Sequence, residues 1–160
     1  LGIGVQKNEK MAATLYKSAM RLDNPEATRN LGCMYEDGRG VQQSFSKALH
    51  YYKKAAKLKD TDAMVFTGLF YEYGKGVDVH FTEASKYYKQ AMKSGNPNGM
   101  IGYARLLQKS DTKPRMKEIL KYYKMAADAG SIEGKIIYEG MLNSQKFILK
   151  YTQYYSFEYI

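Results

Sequence analysis

Residues 24–41 read NPEATRNLGCMYEDGRGV and residues 47–56 read KALHYYKKAA. At a spacing of 36, residues 60–77 read DTDAMVFTGLFYEYGKGV and residues 83–92 read EASKYYKQAM. The same spacing links Gly2-Ile3-Gly4-Val5 to Gly38-Arg39-Gly40-Val41 and Gly74-Lys75-Gly76-Val77, and Tyr16 to Tyr52 and Tyr88. Ala19, Ala55 and Ala91 follow it too, and a final step of 35 carries Tyr88 to Tyr123 and Ala91 to Ala126. Self-similarity at one period of this size is the signature of a solenoid.

Each unit reads as two helices. In Asn24-Pro25-Glu26, Asn is a side-chain acceptor for the free N–H groups of a first turn, and Pro fits the first helical position. Glu complements the positive end of the helix dipole. The N-cap position recurs as Asn24, Asp60, Asn96 and Ser131, all good caps. The first helix, helix A, is expected to run to about Asp37, Tyr73, Lys109 and Leu142 in successive units. Gly38-Arg39-Gly40 ends the first of these, because glycine takes the left-handed conformation at a helix end. Helix B is expected at about Ser44–Leu58, Phe81–Ser94 and Arg115–Ala129. Ala48, Tyr52 and Ala55 fall on one face of it, where small alanines admit a close neighbour and the ring fills the space beside them. One tyrosine of each pair, 51-52, 87-88 and 122-123, is therefore assigned to the core, and the other to a partly exposed position.

Composition agrees with a soluble globular chain: 160 residues, 44% hydrophobic and 26% charged, with 16 tyrosines and no tryptophan. A single cysteine, Cys33, excludes an intrachain disulfide. No apolar run reaches the roughly 18 residues of a membrane span, and no signal peptide is visible. Asn24 and Asn96 precede proline and no other asparagine heads an Asn-x-Ser/Thr site, which favours a cytoplasmic home. The chain begins at Leu1 inside what reads as a loop, so it is expected to be a piece of a longer one. The net charge of +9 permits acidic proteins, nucleic acid or a membrane surface as partners.

Ala27-x-x-x-Leu31-Gly32-x-x-Tyr35-x-x-Gly38-x-Gly40-Val41 followed by Lys47-Ala48-x-x-Tyr51-Tyr52-x-x-Ala55-Ala56 resembles a nearly complete Sel1-like repeat, a tetratricopeptide-like unit. The resemblance covers residues 2–142. It implies an all-α, right-handed superhelix of antiparallel helix pairs. The units fall at 1–21 (partial), 22–57, 58–93, 94–128 (divergent) and 129–142 (partial). Residues 143–160 lack the pattern and are read as an irregular C-terminal segment, preferably a poorly regular helix that caps the stack and otherwise a disordered end. The second unit has Thr67 where Leu is usual. In the third, Tyr103-Ala104 replaces Leu-Gly and Ser110-Asp111-Thr112 replaces Gly-x-Gly, so its loop with Pro114 should differ in shape.

Nothing in the sequence assembles chemistry. Gly-x-Gly-Val lacks the strand context and Lys-Ser/Thr of a phosphate loop and recurs as a connector. His50 and His80 stand at non-equivalent positions, and Cys33 has no base placed beside it. No metal-ligand cluster or nucleophile turn is present, so no cofactor, metal or enzymatic role is expected. The resemblance implies a protein-interaction scaffold or adaptor, as Sel1-like proteins serve in endoplasmic-reticulum-associated degradation, cell-cycle signalling and bacterial host interaction. In tetratricopeptide-like arrays ligands lie on the concave face of helix A. By alignment this gives Arg29, Cys33, Glu36 and Asp37, then Val65, Leu69, Glu72 and Tyr73, then Ile101, Arg105, Gln108 and Lys109, and finally Ile136 and Gly140. The stripe runs from an acidic end through an apolar middle to a basic end, suited to orienting a peptide. The competing account is that the second helix A is apolar all round because its neighbours bury it. A lysine ladder, Lys17, Arg21, Lys53, Lys57, Lys89, Lys93 and Lys124, marks the helix-B face. It offers an anionic-surface binder as one alternative to the peptide groove, and a passive spacer in a larger protein is another. A protein partner is preferred to nucleic acid or membrane.

Overall fold

The computed structural model describes residues 2–110 and 116–155, with side chains over 8–109 and 116–144. Among the described residues there are eight helices and no strand: α1 (Gly2–Met20), α2 (Pro25–Asp37), α3 (Phe45–Lys57), α4 (Thr61–Tyr73), α5 (Phe81–Lys93), α6 (Pro97–Ser110), α7 (Met116–Asp128) and α8 (Ile132–Tyr155). Each packs on its chain neighbours, and α4 also touches α6. The result is the right-handed solenoid of antiparallel pairs, with α2, α4, α6 and α8 as the helix-A layer and α1, α3, α5 and α7 as the helix-B layer.

The caps act as the residues dictate. Asn24 Oδ1 accepts from Ala27 N at 2.8 Å, and Asp60 Oδ1 from Ala63 N at 2.7 Å. Asn96 Oδ1 accepts from Asn98 N and Gly99 N, and Ser131 Oγ from Gly134 N. Gly38 and Gly74 end α2 and α4 at φ 73° and 68°, the left-handed conformation. The chain then turns back, and the N–H groups of Ser44 and His80 donate to the carbonyls of Tyr35 and Tyr71, both at 2.8 Å. One further glycine per loop is fixed by contact. A Cβ at Gly40 would strike the backbone of Glu9 and Lys10 in α1, and one at Gly76 would strike Phe45 and Ser46 in α3. The second glycine of each loop thus lets the connector of one unit rest on helix B of the unit before, midway along α1 and at the start of α3.

The core is built on the helix-B tyrosines. Tyr52 and Tyr88 are fully buried, each between alanines one turn away, and Tyr123 nearly so, between Ile119 and Ala126. The other tyrosine of each pair packs on a helix-A ring: Tyr51 stacks on Tyr35 at 5.3 Å, Tyr87 on Tyr71 at 6.0 Å, and Tyr122 meets Tyr103 edge-on at 5.0 Å. Glycine opposite the ring makes room. A Cβ at Gly32 would lie 2.7 Å from the Tyr52 ring, and one at Gly68 2.6 Å from the Tyr88 ring.

Both ends depart from the sequence reading. Gly2–Val5 was expected to be a loop equivalent to Gly38–Val41 but lies within α1. The later glycine pairs lie in connectors held between an ending helix A and the next helix B. Gly2-Ile3-Gly4-Val5 instead forms the start of α1. At the other end the last helix A does not stop near Leu142: α8 continues unbroken to Tyr155, so residues 143–155 are helical, as a direct continuation of this helix and not as a separate capping one. No glycine connector or proline follows Leu142 to end it. The loop containing Pro114 lies outside the described residues.

The ring-against-glycine contact makes a prediction. Gly68→Ala should destabilise the chain by about 1–3 kcal/mol through overpacking, although alanine is the better helix former by about 1 kcal/mol. Gly140, with open space where its Cβ would stand, should show the opposite sign, Gly140→Ala stabilising by about 0.5–1 kcal/mol. Thermal unfolding of the two variants beside the parent chain checks both signs.

Candidate functional site

A buried phenol needs a hydrogen-bond acceptor, and each core tyrosine finds one at the same place in helix A. Tyr52 Oη donates to Glu36 Oε2 at 2.7 Å, Tyr88 Oη to Glu72 Oε2 at 2.7 Å, and Tyr123 Oη to Gln108 Oε1 at 3.0 Å. Positions 36, 72 and 108 are one repeat position. The two carboxylates are then matched by cations of the following unit. Lys75 reaches Glu36 Oε1 at 2.9 Å from the connector after α4. Arg105 clamps Glu72 with Nε on Oε1 at 3.0 Å and Nη2 on Oε2 at 2.8 Å, and Lys109 adds a contact to Oε1 at 2.7 Å. Where the acceptor is the neutral Gln108, the aligned positions of α8 carry Gly140 and Ser144, which bring no charge.

The electrostatics follow from this geometry. Burial alone would raise the Glu72 carboxyl. The hydrogen bonds from Arg105, Lys109 and Tyr88 outweigh it and hold the group down at about 2. Burial pushes the Tyr52 phenol far above its ordinary range, with its bonds to Cys33 and Glu36 adding to the effect, and Tyr88 moves the same way through burial and its bond to Glu72. These tyrosines stay protonated donors at any physiological pH.

A second latch joins units through the caps. Arg29 Nε donates to Asp60 Oδ2 at 3.1 Å while the other oxygen of Asp60 caps α4. Asn96 Nδ2 bridges back to Thr61 Oγ1 at 3.1 Å and Asp62 Oδ1 at 2.8 Å. Acid and cation again travel together. Position 60 is Asp where the unit before supplies Arg29, and position 96 is Asn where it supplies Val65.

The residues read as a graded groove therefore have mixed fates. Val65 and Ile101 are buried, at 8% and 4% exposure, and form part of the core between units instead of a surface. Eight of the 13 residues of α4 are buried, so the competing account of this helix, that its neighbours bury it, holds for most of it. Cys33 is half-buried and takes the Tyr52 hydroxyl at 3.3 Å. Arg29, Glu36, Arg105 and Lys109 are engaged between units. Asp37 is exposed and pairs with Arg39 at 3.0 Å. Leu69 is half-buried, and Ile136 is exposed. Tyr73 stands out at 52% exposure, its ring 4.7 Å from Lys109 Nζ and 5.9 Å from the Arg105 guanidinium. On the helix-B side, Lys17, Arg21, Lys57, Lys89 and Lys93 are exposed, and Lys53 is half-buried with its ammonium on the Tyr71 hydroxyl at 3.3 Å. Lys89 lies 4.8 Å from the centre of the Tyr103 ring, and Lys124 is paired with Asp128. Among the described residues no group of His, Cys, Asp and Glu is arranged to hold a metal ion, and no helix is long and apolar enough to cross a membrane.

The sequence reading passed over Lys75 and Asp60 as latch residues. The available signal was the switch between acid and amide at one repeat position, in step with a cation elsewhere in the period. Glu72→Gln tests it. The amide still accepts from Tyr88, as Gln108 does from Tyr123, but Arg105 and Lys109 lose their counter-charge. The variant should lose about 2–3 kcal/mol at neutral pH. The Glu72 carboxyl titrates below its ordinary 4.5 in the folded chain, so its contribution is full above that value and disappears as the pH falls toward about 2. Urea unfolding from neutral to acid pH should show this loss in the parent chain and a flatter profile in the variant.

The Sel1 repeat model matches residues 1–24, 25–60, 61–96 and 120–131, leaving most of the divergent third unit unmatched. Comparison with curated proteins finds no match. Solved structures do resemble the chain. A Sel1 repeat protein from Oxalobacter formigenes superposes with a TM-score of 0.74 at 27% identity, over 81% of this chain and 52% of that one. Cysteine-rich protein B of Helicobacter pylori gives 0.64 at 25% identity, over 86% of this chain and 99% of that one. A protective antigen of uropathogenic Escherichia coli shares the fold, at 0.73 and 24% identity over 81% of this chain and 28% of its own length. The chain thus spans about half of the first of these and under a third of the antigen. With its repeats matched over more than half its length, the chain belongs to the Sel1 repeat family.

Proposed function

We propose that this chain is a protein-interaction scaffold whose partner lies along the helix-A face, centred on Tyr73. Sel1 repeat proteins generally bind other proteins, and the polar groups of the repeat positions described above are spent on holding units together. The observation that carries the reading is Tyr73 itself. It is an exposed aromatic held beside two cations, and those cations are in turn fixed on the buried Glu72 carboxylate. An immobilised aromatic next to a guanidinium is the composition of interface hot spots, because little side-chain freedom remains to be lost on binding. Leu69, one turn earlier on α4, and Ile136 on α8 extend an apolar contact either side of the charge. Asp37, at the other end of the stripe, sets a direction for an extended or helical segment.

The test is a photo-crosslinking phenylalanine analogue introduced at Tyr73 and, for comparison, at the exposed Lys121 of α7, in the cell that makes the protein. A discrete adduct at position 73, absent at 121, is expected. Leu69→Glu should reduce it about tenfold or more, the equivalent of 1.4 kcal/mol, with the helical circular dichroism unchanged. If Leu69→Glu lowers the helical signal, Leu69→Ser takes its place. An adduct at 73 indifferent to residue 69, or none at all, sinks the groove.

A further inference from the structure

We propose that the helix-B face carries a second binding surface, a lysine-rimmed channel that takes an acidic, amphipathic segment of a protein partner. Two grooves lie on this face. One, of about 530 Å³, is lined by Ser46, Leu49, His50, Lys53, Lys54 and Lys57 of α3. The other, of about 500 Å³, sets Lys57, Lys59, Lys86 and Lys93 round a floor that includes Met64 and Tyr87. Lys57 lines both, so the grooves are neighbours on this face with the Lys57 side chain common to them. No Asp or Glu is among the described residues lining either. Lys86 is the one lysine here with an ion pair, a 3.7 Å contact to Glu83 between exposed side chains; among the described residues Lys54, Lys57, Lys59 and Lys93 have none.

The backbone adds an independent sign. The residue before each N-cap is left-handed, at Asp23, Lys59, Gly95 and Gly130. Glycine takes this conformation freely, whereas a lysine does so under strain. Lys59, at φ 70°, nevertheless stands there and lines the second groove.

The chemistry of the channel selects among anions. Its cations are all lysines, with no arginine fork for bidentate phosphate contacts. Tyr87 has one ring face taken by Tyr71, and neither groove has a second aromatic among its described lining to stack successive bases on. Leu49, Met64 and the Tyr87 ring form an apolar bottom that a sugar-phosphate chain does not fill. A peptide with carboxylates on one side and apolar side chains on the other satisfies rim and floor together. The inference rests on the scaffold reading only in taking the partner to be a protein, and it concerns a different face from Tyr73.

The experiment measures fluorescence anisotropy of a fluorescein-labelled peptide of repeating Glu-Leu-Glu units with the full chain. Oligo-Glu of equal charge, single-stranded oligo-uridine and phosphatidylserine vesicles are run beside it. The paired substitutions Lys57→Glu and Lys93→Glu should weaken the Glu-Leu-Glu peptide by about tenfold or more. Lys121→Glu with Lys135→Glu changes net charge equally at exposed sites on α7 and α8 and should leave most of the affinity. Oligo-Glu should bind more weakly than the amphipathic peptide. Equal losses in the two double variants would mean bulk charge and overturn the channel. Tighter binding of oligo-uridine or vesicles, lost with Lys57 and Lys93, would assign it to nucleic acid or membrane instead, and no binding of any probe would dismiss it. The Tyr73 crosslink, repeated in the Lys57/Lys93 variant, should persist, so failure of the channel and failure of the helix-A reading are told apart.

Discussion

The hydroxyl of one buried tyrosine per unit sets most of what surrounds it. In the two complete units the ring lies against a residue with no side chain, Gly32 opposite Tyr52 and Gly68 opposite Tyr88, while the divergent third has Ala104 at that position. The phenol must donate, which places a carboxylate or amide at positions 36, 72 and 108. A carboxylate that deep must be neutralised, since an unpaired buried charge costs several kcal/mol. The cation comes from the next unit, from the connector after its helix A in the case of Lys75 and from helix A itself in the case of Arg105 and Lys109. Packing inside one hairpin thus becomes an ionic bond between hairpins. In an array where each unit touches mainly its neighbours, that bond is a nearest-neighbour coupling.

The same logic explains variation that otherwise looks like a binding code. Arg29 and Asp60 form a pair across units, and the equivalent places one period on hold Val65 and Asn96, both uncharged. Glu72 faces Arg105 and Lys109, whereas Gln108 aligns with Gly140 and Ser144. Charge appears and disappears in matched sets. Much of the gradient along the helix-A stripe is therefore a record of which units are latched ionically and which apolarly.

The fold was legible because its determinants are local or periodic. A cap and its acceptor lie three residues apart, a glycine ends its own helix, and the alanine-tyrosine face repeats at helical spacing. The surface was less legible because helix A is packed on two sides. A side chain at position 65 or 101 is on the stripe by phase, yet a neighbouring helix covers it, and phase alone does not carry that information. The ion pairs escape a local reading for a related reason. Their partners are 31 to 39 residues apart, about one period, so they emerge only when units are laid over one another and compared for charge. At the ends the periodic reading fails differently: Gly2–Val5 carries the connector motif yet is helical, and the last helix A runs past the point where the period would end it.

The two faces of the solenoid end in opposite electrostatic conditions. On the helix-A side Arg29, Lys75, Arg105 and Lys109 each sit on an acid within 3.1 Å. Those charges are bound up in cohesion between units, and Tyr73 is left exposed beside two of them. On the helix-B side Lys54, Lys57, Lys59 and Lys93 gather round grooves without an acid among their described lining. Like charges so grouped repel one another, and stacking the units brings them closer. Stability of the array is poorly served by that arrangement, because the helix-B core of alanine and tyrosine is complete beneath it. Lysine stems can shield apolar surface, but shielding requires the methylenes and not four unmatched ammonium groups. An anionic partner relieves the repulsion by supplying the counter-charge that the chain itself provides on its other face.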